Sequence, residues 1–210
     1  NSNQGECMPK KSLSKFITIV LLLVIFGAAS AIPFYFESPS LFYKTGLDKT
    51  LLRAGKILGI FTAVLLLIQL VLISRFPVLD NLWGVKQLFH FHRTNGLIIL
   101  TLAIVHPVLI LGADHFVFFP FEAKYWPEFI GILLLLILTI FVGTSHWQKK
   151  LGIGYKTWRI SHKLGAPLIL FLTGVHVYNV SRTFESGVPF YALGLVAFMA
   201  ASLVIRKSLG

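Results

Sequence analysis

The sequence predicts an all-α fold, a polytopic six-helix transmembrane bundle, on three observations. Hydrophobic residues make up 56% of the 210 and charged residues only 13%, and the mean hydropathy of +0.79 is too high for an ordinary soluble domain. Apolar runs long enough to cross a hydrocarbon core of about 30 Å, which takes about 20 helical residues, recur six times, at 16–36, 52–74, 88–111, 129–145, 163–180 and 189–205. Lys and Arg gather on one side of those runs. The connections are too short for a soluble domain, so 1–210 reads as one transmembrane domain.

The single cysteine, Cys7, excludes a disulfide-stapled scaffold and thiol chemistry as the main activity. A net charge of +11 would suggest nucleic acid in a soluble protein. Here it reports topology, and lipid rather than nucleic acid is the expected partner.

Span one follows Lys10, Lys11 and Lys15. Its Ala28-Ala29-Ser30-Ala31 stretch has the small-residue character of a signal-peptidase site, but the apolar run continues from Ile32 to Phe36, so an uncleaved span is expected. Pro39 and Gly46 break the chain before span two, Pro77 and Gly84 before span three, Pro120 and Pro127 before span four, and Gly152 and Gly154 before span five. With this alternation, 13 Lys and Arg share the N-terminal side, from Lys10 through Arg93 and Lys163 to Lys207, against 6 opposite: Lys44, Lys49, Arg53, Lys56, Lys124 and Arg182. The positive-inside rule therefore places both termini in the cytoplasm. The acids agree, with Glu37, Asp48, Asp114, Glu122, Glu128 and Glu185 outside and only Glu6 and Asp80 inside. A prokaryotic inner membrane or a plasma membrane is the expected location.

Seven histidines in so apolar a chain call for a function, because ionisable groups inside membrane spans are costly. Four form a pattern: His92 and His106 lie near the two ends of span three, and His162 and His176 repeat the relation on span five. Each pair is 14 residues apart, about 1,400° of helix rotation and within about 40° of four full turns, so each pair shares a face, about 21 Å apart along the axis. Spans three and five run in the same direction, which puts His92 level with His162 on the cytoplasmic side and His106 level with His176 on the outer side. Two imidazoles per level are too few for zinc, whereas a porphyrin supplies four further nitrogens, so two bis-histidine haems are the expected cofactors.

Neighbouring residues support that reading. Gly96 and Gly165 lie about one turn beyond the inner histidines, where a missing side chain lets a macrocycle approach. Arg93 and Lys163 suit haem propionates and positive-inside anchoring equally. Ile99 and Ile169 are expected as aliphatic filler between the two levels. His90 points about 200° away from His92 and is the alternative inner ligand. His115 in the outer loop and His146 at the inner end of span four are expected at the surface. Arg53 and Lys56 suit an anionic acceptor such as a ferric chelate or superoxide, with lipid headgroups the preferred reading. The aromatic 113–127 loop, with Phe116, Phe118, Phe119, Phe121, Tyr125 and Trp126, reads as an interfacial belt.

On LDNLWGVKQLFHFHRTNG leading into His106-Pro107, and LGIGYKTWRISHKLG leading into His176, the chain resembles the ferric reductase-like transmembrane domain of ferric reductases and NADPH oxidases. The resemblance covers essentially the whole chain. It implies six helices and two b-type haems, the inner on His92 and His162 and the outer on His106 and His176. It further implies single electrons passing from a cytoplasmic flavin to an outer acceptor, a ferric chelate or dioxygen, with this chain the transmembrane part of an oxidoreductase. Two departures stand out. No G-x-G-x-x-G stretch follows span six, so FAD and NAD(P)H are expected through a further domain or a separate protein. Ile110 stands where the oxidase branch has another histidine.

Two other roles compete. In one, the haem-bearing chain feeds a separate periplasmic reductase, as in the methionine sulfoxide reductase system. In the other, a non-redox transporter uses the histidines for protons or metal ions and is colourless; the lack of carboxylates within the spans argues against it.

Overall fold

The computed structural model describes residues 7–118 and 120–209, with side chains for 11–118 and 120–205. Glu6 and Phe119 lie outside the described residues, as do the side chains of Cys7, Lys10, Arg206 and Lys207. The described residues form helices and turns with no strand: α1 (Cys7–Tyr35), α2 (Pro39–Phe42), α3 (Gly46–Ile73), α4 (Pro77–Trp83), α5 (Val85–Gly112), α6 (Trp126–Trp147), α7 (Tyr155–Val180) and α8 (Gly187–Leu209). Single 3₁₀ turns, Ala123–Tyr125 and Arg182–Phe184, precede α6 and α8.

Six of these helices are long and apolar enough to cross a membrane, and they coincide with the six expected spans. Each begins before its apolar core does. α7 starts at Tyr155 rather than 163 and carries Lys156 and Arg159 in its first turns, where a hydropathy pattern has nothing to detect. The short α2 and α4 were outside the expected set. Each opens with proline at its first helical position, Pro39 and Pro77, where the missing N–H breaks no helical bond. The expected breaks at Gly46, Gly84 and Gly152 all have positive φ, the left-handed region glycine enters without steric cost. α1 runs unbroken through Ala28–Ala31, and the Ser30 hydroxyl donates to the Phe26 carbonyl one turn back.

Large apolar side chains cover the outside of the bundle: Phe16, Leu23, Ile140, Phe171 and Phe198 are all more than half exposed. That inversion of soluble packing is what lipid contact requires, since within the bilayer only the backbone and the few polar groups need internal partners. α1 packs on α3 through Phe26 and Phe61, whose rings meet edge to face at 5.0 Å. At the other end of α1, Lys15 lies over the Trp83 ring of α4.

α3 and α5 form the most extensive helix pair, and they run antiparallel. The Gln69 amide donates to the His92 carbonyl at 2.9 Å, while the Gly55 carbonyl meets His106 toward the start of α3. Gly55 lets the backbones approach closely, because a Cβ there would come within 2.8 Å of Ile110 Cδ1. α6 and α7 form a second antiparallel pair, with Ser145 beside His162 and Pro127 beside His176. α5 and α7 therefore run in the same direction, as the sequence predicted. A compact apolar cluster of Leu41, Leu52 and Ala113, with Leu51 and Ile110 against it, closes the end of the bundle away from the start of α1.

Candidate functional site

The four patterned histidines are all half-buried, while His90, His115 and His146 are exposed. They form two levels. At the level near the start of α1, His92 and His162 face each other, ring centres 6.2 Å apart and ring planes 73° apart. His162 is clasped by two aromatic rings, Trp158 one turn before it at 5.2 Å and 28°, and Phe141 of α6 at 5.4 Å and 27°. Ser145 Oγ lies 3.4 Å from its Nδ1 and accepts the indole N–H of Trp158 at 3.2 Å. The ring plane and its nitrogen direction are thus fixed by α6 and by the preceding turn of α7.

At the second level, each histidine is held by the helix that precedes it in the chain. His106 Nδ1 lies 2.7 Å from the Gly55 carbonyl of α3, and His176 Nδ1 lies 2.8 Å from the Pro127 carbonyl of α6. A carbonyl oxygen only accepts, so each Nδ1 carries the proton and each Nε2 keeps its lone pair. Both rings lie over a glycine four residues beyond the accepting carbonyl. A Cβ on Gly59 would come within 2.9 Å of His106 Cε1, and one on Gly131 within 2.7 Å of His176 Cε1. In both cases the side chain at the fourth position beyond the carbonyl is absent, which clears the approach of the ring.

The same device recurs at the first level. Gln69 reaches the His92 carbonyl over Gly96, and a Cβ there would meet the Gln69 Nε2 at 3.3 Å. Gly165 is covered by the ring of Phe141. Between the levels, Ile99 and Ile169 are buried at 1% and 5% exposure, the filling expected of them. Buried Asn95 donates to the Leu65 carbonyl of α3 at 3.1 Å. Arg93 and Lys163 are exposed beside the first level. Among the described residues no group of three or more His, Cys, Asp or Glu converges, so two imidazoles per level are what the chain offers a metal.

The cations near the second level are arranged differently. Arg53 pairs with Glu37, and Lys49 joins the same carboxylate at 3.2 Å. The Lys49 hydrogen bond, then the charges of Lys49 and Arg53, hold the Glu37 carboxyl below its ordinary range. Lys44 bridges to Asp114 at 2.7 Å, and exposed His115 lies 3.5 Å from Asp48. Lys56 instead contacts the hydroxyls of Ser38, Ser40 and Ser181.

Sequence reasoning located the four histidines and their two levels but missed Gly59, Gly131, Gln69, Ser145 and Trp158. Trp158 had a local signal, since it stands four residues before His162 and so on the same helix face. The two glycines had none, because each belongs to a different helix from the ring it seats.

Six membrane-length helices, with histidines paired at two depths among them, define a class of integral multi-pass membrane proteins. Within that class, the chain belongs to the family described as ferric reductase like transmembrane component, whose model matches residues 58–173. The match runs from within α3 to within α7 and contains His92, His106 and His162. Comparison with curated proteins and with solved structures gives no match.

Proposed function

We propose that the chain is a di-haem b-type membrane protein that carries single electrons from a cytoplasmic flavin or NAD(P)H-dependent donor to an acceptor outside, with both termini cytoplasmic. Membership of the ferric reductase-like family supports membrane electron transfer as the general role. The observation that carries the finer reading is one arrangement repeated at two depths, an imidazole from α5 level with an imidazole from α7, with the rings of His106, His162 and His176 oriented by neighbouring helices.

That arrangement fits haem iron. Imidazoles bound on opposite sides of one metal, each through a nitrogen at about 2 Å, have ring centres about 6 Å apart, and His92 and His162 stand at 6.2 Å. At the second level, with each Nδ1–H held by a carbonyl, Nε2 is the nitrogen left to ligate, the arrangement usual for metal-bound histidine. Haem, when bound, supplies one-electron redox chemistry at a potential set by its ligands and burial.

The chain's own residues do the rest. His92 with His162, and His106 with His176, would hold one haem iron at each level. Trp158 and Phe141 fix the plane of His162, and Ser145 its Nδ1. Ile99 and Ile169 keep water out of the interval between levels, about 21 Å along the helices. Exposed Arg93 and Lys163 set positive charge at the cytoplasmic end, where propionates or lipid phosphates are stabilised. Gly96 and Gly165 make room for the Gln69 amide and the Phe141 ring beside the inner pair.

The test is an absorption spectrum of the detergent-purified chain, oxidised and dithionite-reduced, with haem per polypeptide from the pyridine haemochrome. Two low-spin b-type haems per chain are expected. A colourless protein after haem-supplemented expression would overturn the reading.

A further inference from the structure

We propose that Lys56 and the hydroxyls around it form a carboxylate-binding site at the second level, one residue along α3 from the carbonyl that holds His106. Lys56 Nζ donates to Ser38, to Ser40 at 3.2 Å and to Ser181 at 3.4 Å, so hydroxyls from two separate connections converge on one ammonium. Ser38 is buried, at 3% exposure, and Lys56 is half-buried.

Three hydroxyl oxygens match the three N–H donors of an ammonium but leave its unit charge uncancelled. A charge inside a membrane span is costly unless an opposite charge accompanies it. The neighbouring cations follow that rule: Lys44 holds Asp114, Lys49 and Arg53 hold Glu37, and Lys124 holds Glu122. Among the described residues no carboxylate lies within ion-pair distance of Lys56. Glu128, beside the carbonyl that holds His176, forms no ion pair among the described residues either, so it does not serve Lys56.

The ligand class follows from what the site lacks. One monovalent cation wants one monovalent anion, and a carboxylate oxygen replacing the long Ser181 contact cancels the charge while keeping the hydrogen bond. Ser38 and Ser40 share one hydrogen bond between their hydroxyls, so one proton of that pair is left to donate to the anion. The carboxylate has two possible sources. One is a propionate of the porphyrin held by His106 and His176, which rests on the function proposed above. The other is a soluble carboxylate that docks from outside, which does not.

The experiment compares the full chain in detergent with Lys56→Met and Lys56→Arg. Haem per chain and the two midpoint potentials are measured, and separately the melting temperature with and without millimolar citrate at constant ionic strength. A propionate source is expected to leave Lys56→Met with the second haem lost or its potential lowered, because removing a nearby cation disfavours the added electron, while Lys56→Arg restores both. A soluble source is expected to leave the haems unchanged and abolish a citrate-induced rise in melting temperature. If Lys56→Met matches the parent in haem content, potentials and citrate response, the site does not exist. Should Lys56→Met fail to fold, Lys56→Gln makes the same comparison, removing the charge while keeping a hydrogen-bond donor for the hydroxyls. If the parent itself carries no haem, the function proposed above fails, and the citrate response of parent against Lys56→Met alone decides the site.

Discussion

The ring of His106 lies against Gly59, so close that a Cβ on that glycine would stand 2.9 Å from the ring's Cε1. His176 has the same relation to Gly131. Gly59→Val and Gly131→Val are therefore expected to push the rings off the carbonyls they bond and to lower the haem content from two per chain toward one. Gly174→Ala is the control, because nothing lies within 4 Å of a Cβ there, and a helical Gly→Ala change gains up to about 1 kcal/mol of helix propensity. Haemochrome quantification of the three variants checks the claim, and full occupancy in Gly131→Val would refute it.

Histidine substitutions separate the levels. His106→Ala or His176→Ala should remove the outer haem and end transmembrane transfer while the inner haem is still reduced by dithionite. His90→Ala should keep both haems, in line with the exposure of His90. Equal loss of both haems from one outer substitution, seen in low-temperature spectra, would end the two-level assignment.

Trp158 and Ser145 orient His162 without being its partner across the bundle. Trp158→Leu and Ser145→Ala should retain two haems per chain, with a change confined to the inner centre, visible in its electron paramagnetic resonance g-values and midpoint potential. A change in the outer centre's signal instead would show that His162 does not belong to the inner level.

Ile99 is almost completely buried between the levels. Ile99→Ala should cost about 2 to 5 kcal/mol by leaving a cavity in the packed interior, read as lowered resistance to denaturation in mixed micelles. An effect below about 0.5 kcal/mol, the size usual for surface changes, would mean that the interval between levels is not tightly packed.

The ion cluster at Glu37 predicts an acid limb in stability. A carboxyl held below its ordinary value of 4.5 in the folded chain contributes stability that is complete above that value and is lost as pH falls through the folded value. Melting temperature measured from pH 7 down to pH 3 should fall less steeply for Glu37→Gln than for the parent. Parallel curves would remove Glu37 from the account.

How far the sequence was legible depended on whether a signal lay within one helix. The six spans and the co-directional histidine pairs could be read because apolar runs and 14-residue spacings are properties of single segments. The early start of α7 at Tyr155 could not, since Lys156 and Arg159 interrupt the apolar pattern without interrupting the helix. Gly59 and Gly131 were hidden for a different reason. Their meaning is a contact with a ring on another helix, which no spacing along the chain encodes. Lys56 illustrates the same limit, because Ser181 lies far along the chain from it and the charge alone pointed to the headgroups.

The order of these contacts along the chain bears on how the molecule is made. α3 precedes and seats the histidine of α5, and α6 precedes and seats the histidine of α7. The α3–α5 pair can therefore leave the translocon as a finished hairpin, with the His106 imidazole already aimed, before α6 and α7 have been synthesised. Biogenesis then divides into two insertion events and one docking event, and the docking brings His92 to His162.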